Sequence, residues 1–371
     1  MNRCGCSCRS SQSTARRGAG RLNRRAFLSV LGAGALAACA PKVAPRRLLG
    51  PLVPLPEVNY RDIPLIDFHA HLQKRVSAEE LIDHMDRGGV ARMVLMALYY
   101  GDRGGAVNDG EGTDEQALSY ARRSPGRFVP FVGMQRGLLV NRDRWIRPDS
   151  EASSLLLEAE WKLRSGEFFG MGEFMLRFYP YTTELGIVAV SDMDYPADST
   201  LMRYFADLSA KYRAPMVIHC EAEPHTVEAM LRLLELHPEA TVVWAHNCGR
   251  AGAGLIRDWL SRYPNLYVDL GNMVSTGSGY GTYWPRRTPW MHLVMSRQGD
   301  IFPEMKTLFE AFPDRFFIGN DLAHARAYVY HSYLAHRWRL FLSQLSAATA
   351  RKIAFENAER LFRQSPTGLV R

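Results

Sequence analysis

Six side chains able to hold a metal ion or move a proton stand at the ends of short apolar runs in this sequence. IDFHAHL (residues 66–72) carries His69 and His71, GMGEFM carries Glu173, PMVIHCE carries His219, TVVWAHN carries His246 and FFIGNDLAH carries Asp321. In an extended strand residues i and i+2 point to the same side, so both imidazoles of the HxH pair can meet one ion. An HxH pair alone is a weak signal. Here five separate runs finish in groups of the same chemical type. A fold that aligned those runs would turn scatter along the chain into convergence in space. The chemistry such a cluster supports is metal-assisted, because a divalent ion with an open coordination position lowers the pKa of bound water to about 7.

Eight short apolar runs can supply the strands, at residues 63–68, 91–98, 127–134, 168–175, 214–220, 240–246, 265–270 and 315–319. Between most of them lie segments of helical spacing, such as AEELIDHMDRGG, HTVEAMLRLLELHPE and AGLIRDWLSRYP. Near-continuous apolar strands alternating with amphipathic helices predict a parallel sheet covered by helices, and eight such units predict an α/β fold closed as a (β/α)8 TIM barrel. An open doubly wound sheet is the alternative. It would place a Gly-rich turn after the first strand, where His69 and His71 stand instead. In the barrel all six groups fall at the C-terminal ends of the strands, the face on which sites are built. Three long connections, at residues 100–112, 176–199 and 272–303, follow strands 2, 4 and 7 and belong to that same face. Residues 63–371 thus read as one domain, with ARKIAFENAERLF as a closing helix.

HxH on the first strand, His on the fifth and sixth and Asp on the eighth resemble the amidohydrolase superfamily. IDFHAHL, WAHNCGR, FFIGND and the closing ENAERLF are most similar to its amidohydrolase-related family, which includes metal-dependent hydrolases and aminocarboxymuconate-semialdehyde-type decarboxylases. The resemblance extends over residues 63–363. It implies that His69, His71, His219 and Asp321 bind a divalent metal, with Zn2+ the expected ion. It also implies that His246 is a catalytic acid/base or electrostatic group and that Asp321 doubles as the acceptor of a water proton. Some relatives bridge two ions with a strand-4 carboxylate, with His219 and His246 holding the second ion, so Glu173 is a further candidate ligand. One ion is the expectation rather than two, and the competing reading of Glu173 is a supporting group or an ion pair with Arg177. The implied activity is hydrolysis of an amide, ester or lactone in a small molecule. Decarboxylation of a small carboxylic acid is the alternative, with His246 as base. A non-catalytic surface lipoprotein is a third reading, against which the pairing of Asp321 with His246 argues.

Other residues are read by position. His225, His237 and His336 fall on expected helices as surface or packing groups, whereas His324, three residues after Asp321, is a candidate to touch the pocket. Arg177 could bind a substrate carboxylate or form a structural ion pair. Tyr280, Tyr283, Trp284 and Trp290 could line a pocket or pack their loop, and Asp67 precedes the HxH pair on the same strand face as a buried supporting group.

The net charge of +8 would suit a polyanionic partner, but its location does not. Residues 1–38 carry seven Arg and no acidic residue, leaving 39 basic and 38 acidic side chains for the remainder. No nucleic-acid partner is therefore expected. Arg24 and Arg25 precede an apolar run, residues 26–38, too short to span a bilayer. The segment resembles a twin-arginine export signal, and Leu36-Ala37-Ala38-Cys39 resembles a bacterial lipobox. The expected product is an exported bacterial protein, periplasmic or held at the membrane only through a lipid on Cys39. Residues 39–62, with five prolines, would form the tether. Cys4, Cys6 and Cys8 fall in the part expected to be removed, and Cys220 and Cys248 are expected as buried free thiols.

Overall fold

The computed structural model describes residues 63–99, 110–179, 181–182, 188–189, 192–274 and 294–364. The expected leader and tether, Cys39 and the aromatic group Tyr280, Tyr283, Trp284 and Trp290 lie outside the described residues.

Eight parallel strands are present in the expected order: β1 (Leu65–Leu72), β2 (Val90–Leu98), β3 (Phe128–Gln135), β4 (Met171–Phe178), β5 (Met216–Cys220), β6 (Val242–Trp244), β7 (Leu266–Asp269) and β8 (Phe316–Phe317). Each pairs with the next in sequence. The ring is brought nearly to closure by backbone bonds from β1 to the chain at and beyond β8. Phe68 N donates to Ile318 O at 2.9 Å, Asp321 N to His69 O at 2.7 Å and His71 N to Leu322 O at 2.8 Å. The main helices are α1 (Ala78–Gly88), α2 (Asp114–Arg123), α3 (Ser150–Ser165), α4 (Thr200–Tyr212), α5 (Pro224–Leu236), α6 (Ala253–Arg262), α7 (Pro303–Ala311), α8 (His331–Leu342) and α9 (Asn357–Gln364).

Local sequence explains the elements. In α1, Ser77 and Glu80 form a reciprocal capping box, Leu81 and Met85 face the sheet, and Gly89 ends the helix in the left-handed conformation that glycine adopts without steric cost. Strands buried on both faces are apolar throughout because helices cover one side and the barrel core fills the other. That core contains Ile66, Phe68, Val94, Phe131, Val217 and Phe317, and α9 adds Leu361 and Phe362. Phe68 stacks on Phe317 at 4.3 Å and on Phe362 at 6.1 Å, so the closing helix plugs the N-terminal end. The C-terminal end is left to polar groups.

The expectation that Asp67 shares a face with His69 and His71 is overturned. The pairing register of β1 with β2 shifts between Asp67 and Ala70, the mark of a bulge. Ile66 and Phe68 point into the barrel core, and across the irregularity His69 and His71 also turn to the barrel interior. Asp67 therefore faces the helix layer, 3.3 Å from His331 on α8, and takes bonds from Asn320 N and Asn320 Nδ2 at 2.9 and 2.8 Å.

Candidate metal centre

All six expected side chains converge at the C-terminal end of the barrel. His69 Nε2 and His71 Nε2 are 3.1 Å apart. Asp321 Oδ1 lies 3.5 Å from the first and 3.3 Å from the second. Glu173 reaches between them, with Oε1 3.6 Å from His69 and Oε2 3.5 Å from His71. Ligands held at about 2.1 Å by a tetrahedral ion stand about 3.4 Å apart, so this set has the spacing of a coordination shell. The same Glu173 Oε1 also meets His219 Nδ1 and His246 Nε2, each at 3.1 Å, and those two nitrogens are 2.8 Å apart. Glu173 is thus the hinge of the cluster, with His69, His71 and Asp321 on one side and His219 and His246 on the other.

The groups behind the imidazoles decide what the inner nitrogens can do. His69 Nδ1 is bonded to Asp269, His219 Nε2 to Glu221 at 3.0 Å, and His246 Nδ1 donates to Gly271 O at 3.0 Å. Each outer nitrogen carries the proton its acceptor requires, which leaves His69 Nε2, His219 Nδ1 and His246 Nε2 as lone pairs aimed inward. Lone pairs 2.8 Å apart need a cation between them. The donor chemistry therefore fits a divalent ion, and two triads of suitable spacing are present: His69, His71 and Asp321, and His69, Glu173 and His246. The single inner nitrogen of His69 belongs to both, so the two triads cannot be filled by separate ions.

Without an ion, protons fill the same role. Burial lowers the pKa of His69, but the charges of Asp269, Glu173 and Asp321 outweigh it and raise that pKa well above its ordinary value. Burial alone would raise Asp321; the charge of His69 and a bond from His71 bring it down to about 2. Burial raises Glu173 less than His69 and His219 lower it, leaving it well below the usual range. For His246, burial is outweighed by Glu173 and Asp321, giving a raised pKa. His219 goes the other way, pushed down to about 4 by burial and then by the neighbouring charge of His246.

Backbone geometry sets these positions. β6 ends at Trp244, and His246, Asn247, Cys248, Gly249 and Arg250 follow with φ between 53° and 66°, a left-handed turn. For a residue other than glycine this costs about 1–2 kcal/mol, so the turn depends on its surroundings. Gly249 packs directly on the exit of β5, where a Cβ would stand 2.0 Å from Cys220 O. Ala222 N donates to Gly249 O at 3.1 Å, and Trp244 Nε1 to Cys220 O at 2.7 Å. Asp321 also has a positive φ of 53°, which turns its carboxylate back over β1. Gly319 makes room there, since a Cβ would lie 2.5 Å from His69 Cβ.

Arg177 is not the partner of Glu173. Its guanidinium pairs with Asp192 at 2.6 Å and Glu223 at 3.0 Å, and it lies over the Tyr179 ring. Arg177 thus forms a structural ion pair. His324 Nδ1 bonds Gln73 at 2.9 Å, His225 is exposed beside Asp194, and His237 pairs with Asp207. Cys220 and Cys248 are buried free thiols, and burial pushes Cys220 up to about 12.

Four supporting residues escaped sequence reasoning: Asp269, Glu221, Arg250 and Gln135, the last donating from Nε2 to Glu173 Oε2 at 2.9 Å. Two carried a readable signal. Asp269 ends β7 as the six end their runs, and Glu221 follows His219 at the i+2 spacing already used for the HxH pair.

A nearly closed barrel of eight parallel strands with a His and carboxylate cluster on its C-terminal face defines the class. The amidohydrolase family model matches residues 66–364, and the chain belongs to that family. Among solved structures it is similar to an uncharacterized TIM-barrel protein from Bordetella bronchiseptica, at 15% identity and a TM-score of 0.51, covering 81% of this chain and 99% of that one. It is also similar to a putative 2-pyrone-4,6-dicarboxylic acid hydrolase from Pseudomonas putida (16%, TM-score 0.48, 81% and 97% covered). A third is a 2,6-dihydroxybenzoate decarboxylase (14%, TM-score 0.44, 81% and 98% covered). No curated protein matches the chain.

Proposed function

We propose that this chain is a metal-dependent hydrolase acting on an amide, ester or lactone bond of a small molecule. The observation that carries the reading is the set of inward lone pairs on His69, His219 and His246, fixed by acceptors behind them and joined by the carboxylates of Glu173 and Asp321. A bound divalent ion, with Zn2+ the expected one, would supply Lewis acidity and water of lowered pKa. One ion is favoured because the inner nitrogen of His69 belongs to both triads; His69, His71, His219 and Asp321 would hold it, with Glu173 reaching between them. A second ion between Glu173, His219 and His246 is the competing occupancy. Asp321 is ionised throughout the neutral range, and its Oδ2, turned toward His246 at 4.0 Å, can accept a proton and return it to a leaving group. His246, whose raised pKa favours the protonated ring, can in that form donate or polarise at Nε2. Decarboxylation is the second reading, favoured by the Nε2 lone pair that the neutral ring keeps when Nδ1 donates to Gly271 O, which is what a base needs.

Metal content per chain after metal-replete expression, measured beside His69→Asn, tests the centre. Close to one equivalent in the wild type and a small fraction in the variant are expected, and no bound divalent ion in the wild type overturns the reading. Turnover of amides, esters and lactones without release of CO2 separates hydrolase from decarboxylase. Export of the chain and a lipid on Cys39 belong to the same proposal, and the mass of the mature N-terminus tests them.

A further inference from the structure

His219 differs from the other inward histidines in what stands behind it. His69 is backed by a strand-end carboxylate and His246 by a backbone carbonyl. His219 Nε2 meets Glu221 Oε1, and that oxygen is shared with the Arg250 guanidinium. All three side chains are buried, with Glu221 only 1% exposed and Arg250 4%. Glu221 Oε2 has no hydrogen-bond partner among the described residues, and its other oxygen meets both His219 and Arg250.

The two residues come from different strands and are brought together by unusual backbone. Glu221 leaves β5 two residues after His219. Arg250 closes the left-handed turn that follows β6, itself at a φ of 66°. A right-handed continuation from Trp244 would carry Arg250 along another path. The close approach of Gly249 to Cys220 and Ala222 is what sets the guanidinium against Glu221.

We propose that Glu221 and Arg250 form a positioning pair that fixes His219 as its Nε2–H tautomer and so presents a bare Nδ1 to the cluster. Paired with a guanidinium, the Glu221 carboxylate offers acceptors only, and the imidazole must give it the proton. Nδ1 is then a lone pair facing Glu173 and His246. Arg250 meets the Glu221 carboxylate and acts on the His219 tautomer through it. The purpose of the pair rests on the metal-centre reading; its geometry does not.

The test reads the tautomer directly. Protein with 15N-labelled histidine is stripped of metal with a chelator at pH 7.5, and long-range proton–nitrogen correlations are recorded, with His219→Asn assigning the resonance. The wild type is expected to show the Nε2–H pattern. In Glu221→Gln the amide can donate to Nε2, so the Nδ1–H pattern should gain population, and Co2+ affinity should fall about 10–100-fold with an altered visible spectrum. Arg250→Lys keeps a cation behind Glu221 and should retain the wild-type pattern. An Nδ1–H pattern in the wild type overturns the proposal. So does an unchanged pattern and cobalt affinity in Glu221→Gln. If Glu221→Gln does not fold, the wild-type pattern alone decides. A wild type that shows Nε2–H but binds no Co2+ supports the positioning pair while removing the metal-centre reading.

Discussion

At the scale of single residues, the groups behind the inner donors matter as much as the donors. Asp269 holds His69 Nδ1 and is the leading cause of that imidazole's raised pKa after burial is overcome. Asp269→Asn keeps the shape but removes the charge and lets the amide donate, so metal affinity should fall about 10–100-fold. Equilibrium dialysis against Zn2+ measures it, and a variant within twofold of wild type would refute the role. His219 makes a separate prediction about pH. Its folded pKa is about 4 against an ordinary 6.5, so between those values the unfolded chain holds a proton that the folded chain does not. Stability of the metal-free protein should therefore decline as pH falls from 6.5 toward 4, by about 2–3 kcal/mol at pH 4.5 relative to pH 7 from this group. Denaturant titration of chelator-treated protein at the two pH values measures the slope. His219→Asn should flatten it. The six inward donors were legible from residue type alone, because each ends an apolar run. Arg250 was not, since Asn247 and Gly249 tolerate left-handed backbone singly but nothing in HNCGR announces five consecutive residues in it.

At the scale of elements, all eight strands stood in the sequence as apolar runs, but two departures from regular geometry decide where the chemistry falls. Alternation along β1 would put Phe68 and His69 on opposite faces. The bulge before Ala70 lets one strand send Phe68 into the core and His69 into the site. No residue type marks it, because any pair of residues can bulge when the neighbouring strand imposes the register. The end of β8 is the second departure. Only two residues pair as a regular strand there, and Asp321 is delivered four residues later by a turn passing through Gly319. A Cβ at 319 would press on His69 Cβ at 2.5 Å and Asp269 Oδ1 at 2.9 Å. Gly319→Ala should cost about 1–3 kcal/mol in unfolding free energy and weaken metal retention. Gly254, exposed in the first turn of α6 with open space around it, supplies the contrast. Gly254→Ala should stabilise the protein by about 0.5–1 kcal/mol through helix propensity. Denaturant midpoints for both variants test the pair, and equal effects would mean that space at Gly319 is not what the fold requires.

At the scale of the whole molecule, the barrel divides into two ends with different sources of order. The N-terminal end is closed by aromatic packing, with Phe68, Phe317 and Phe362 stacked together under α9. The C-terminal end is closed by the cluster itself. His69 and His71 come from β1, Glu173 from β4, His219 from β5, His246 from beyond β6 and Asp321 from beyond β8, so the cluster gathers five of the eight strands and an ion within it would tie several of them. Closure between β1 and β8 passes through the same residues, since His69 O accepts from Asp321 N. Saturation at 100 times the dissociation constant adds about 2.7 kcal/mol to the folded state, and that stabilisation acts at one end only. Hydrogen exchange should register the asymmetry. Removing metal with a chelator should increase exchange about 10–100-fold at the amides of His71, Glu221, Ala222 and Asp321. The amides of Ile66, Val94 and Val217, within the aromatic and aliphatic core, should exchange as before. Uniform acceleration throughout the barrel would mean that the ion acts on global unfolding alone, and that the C-terminal rim holds its shape by packing rather than by the charges gathered on it.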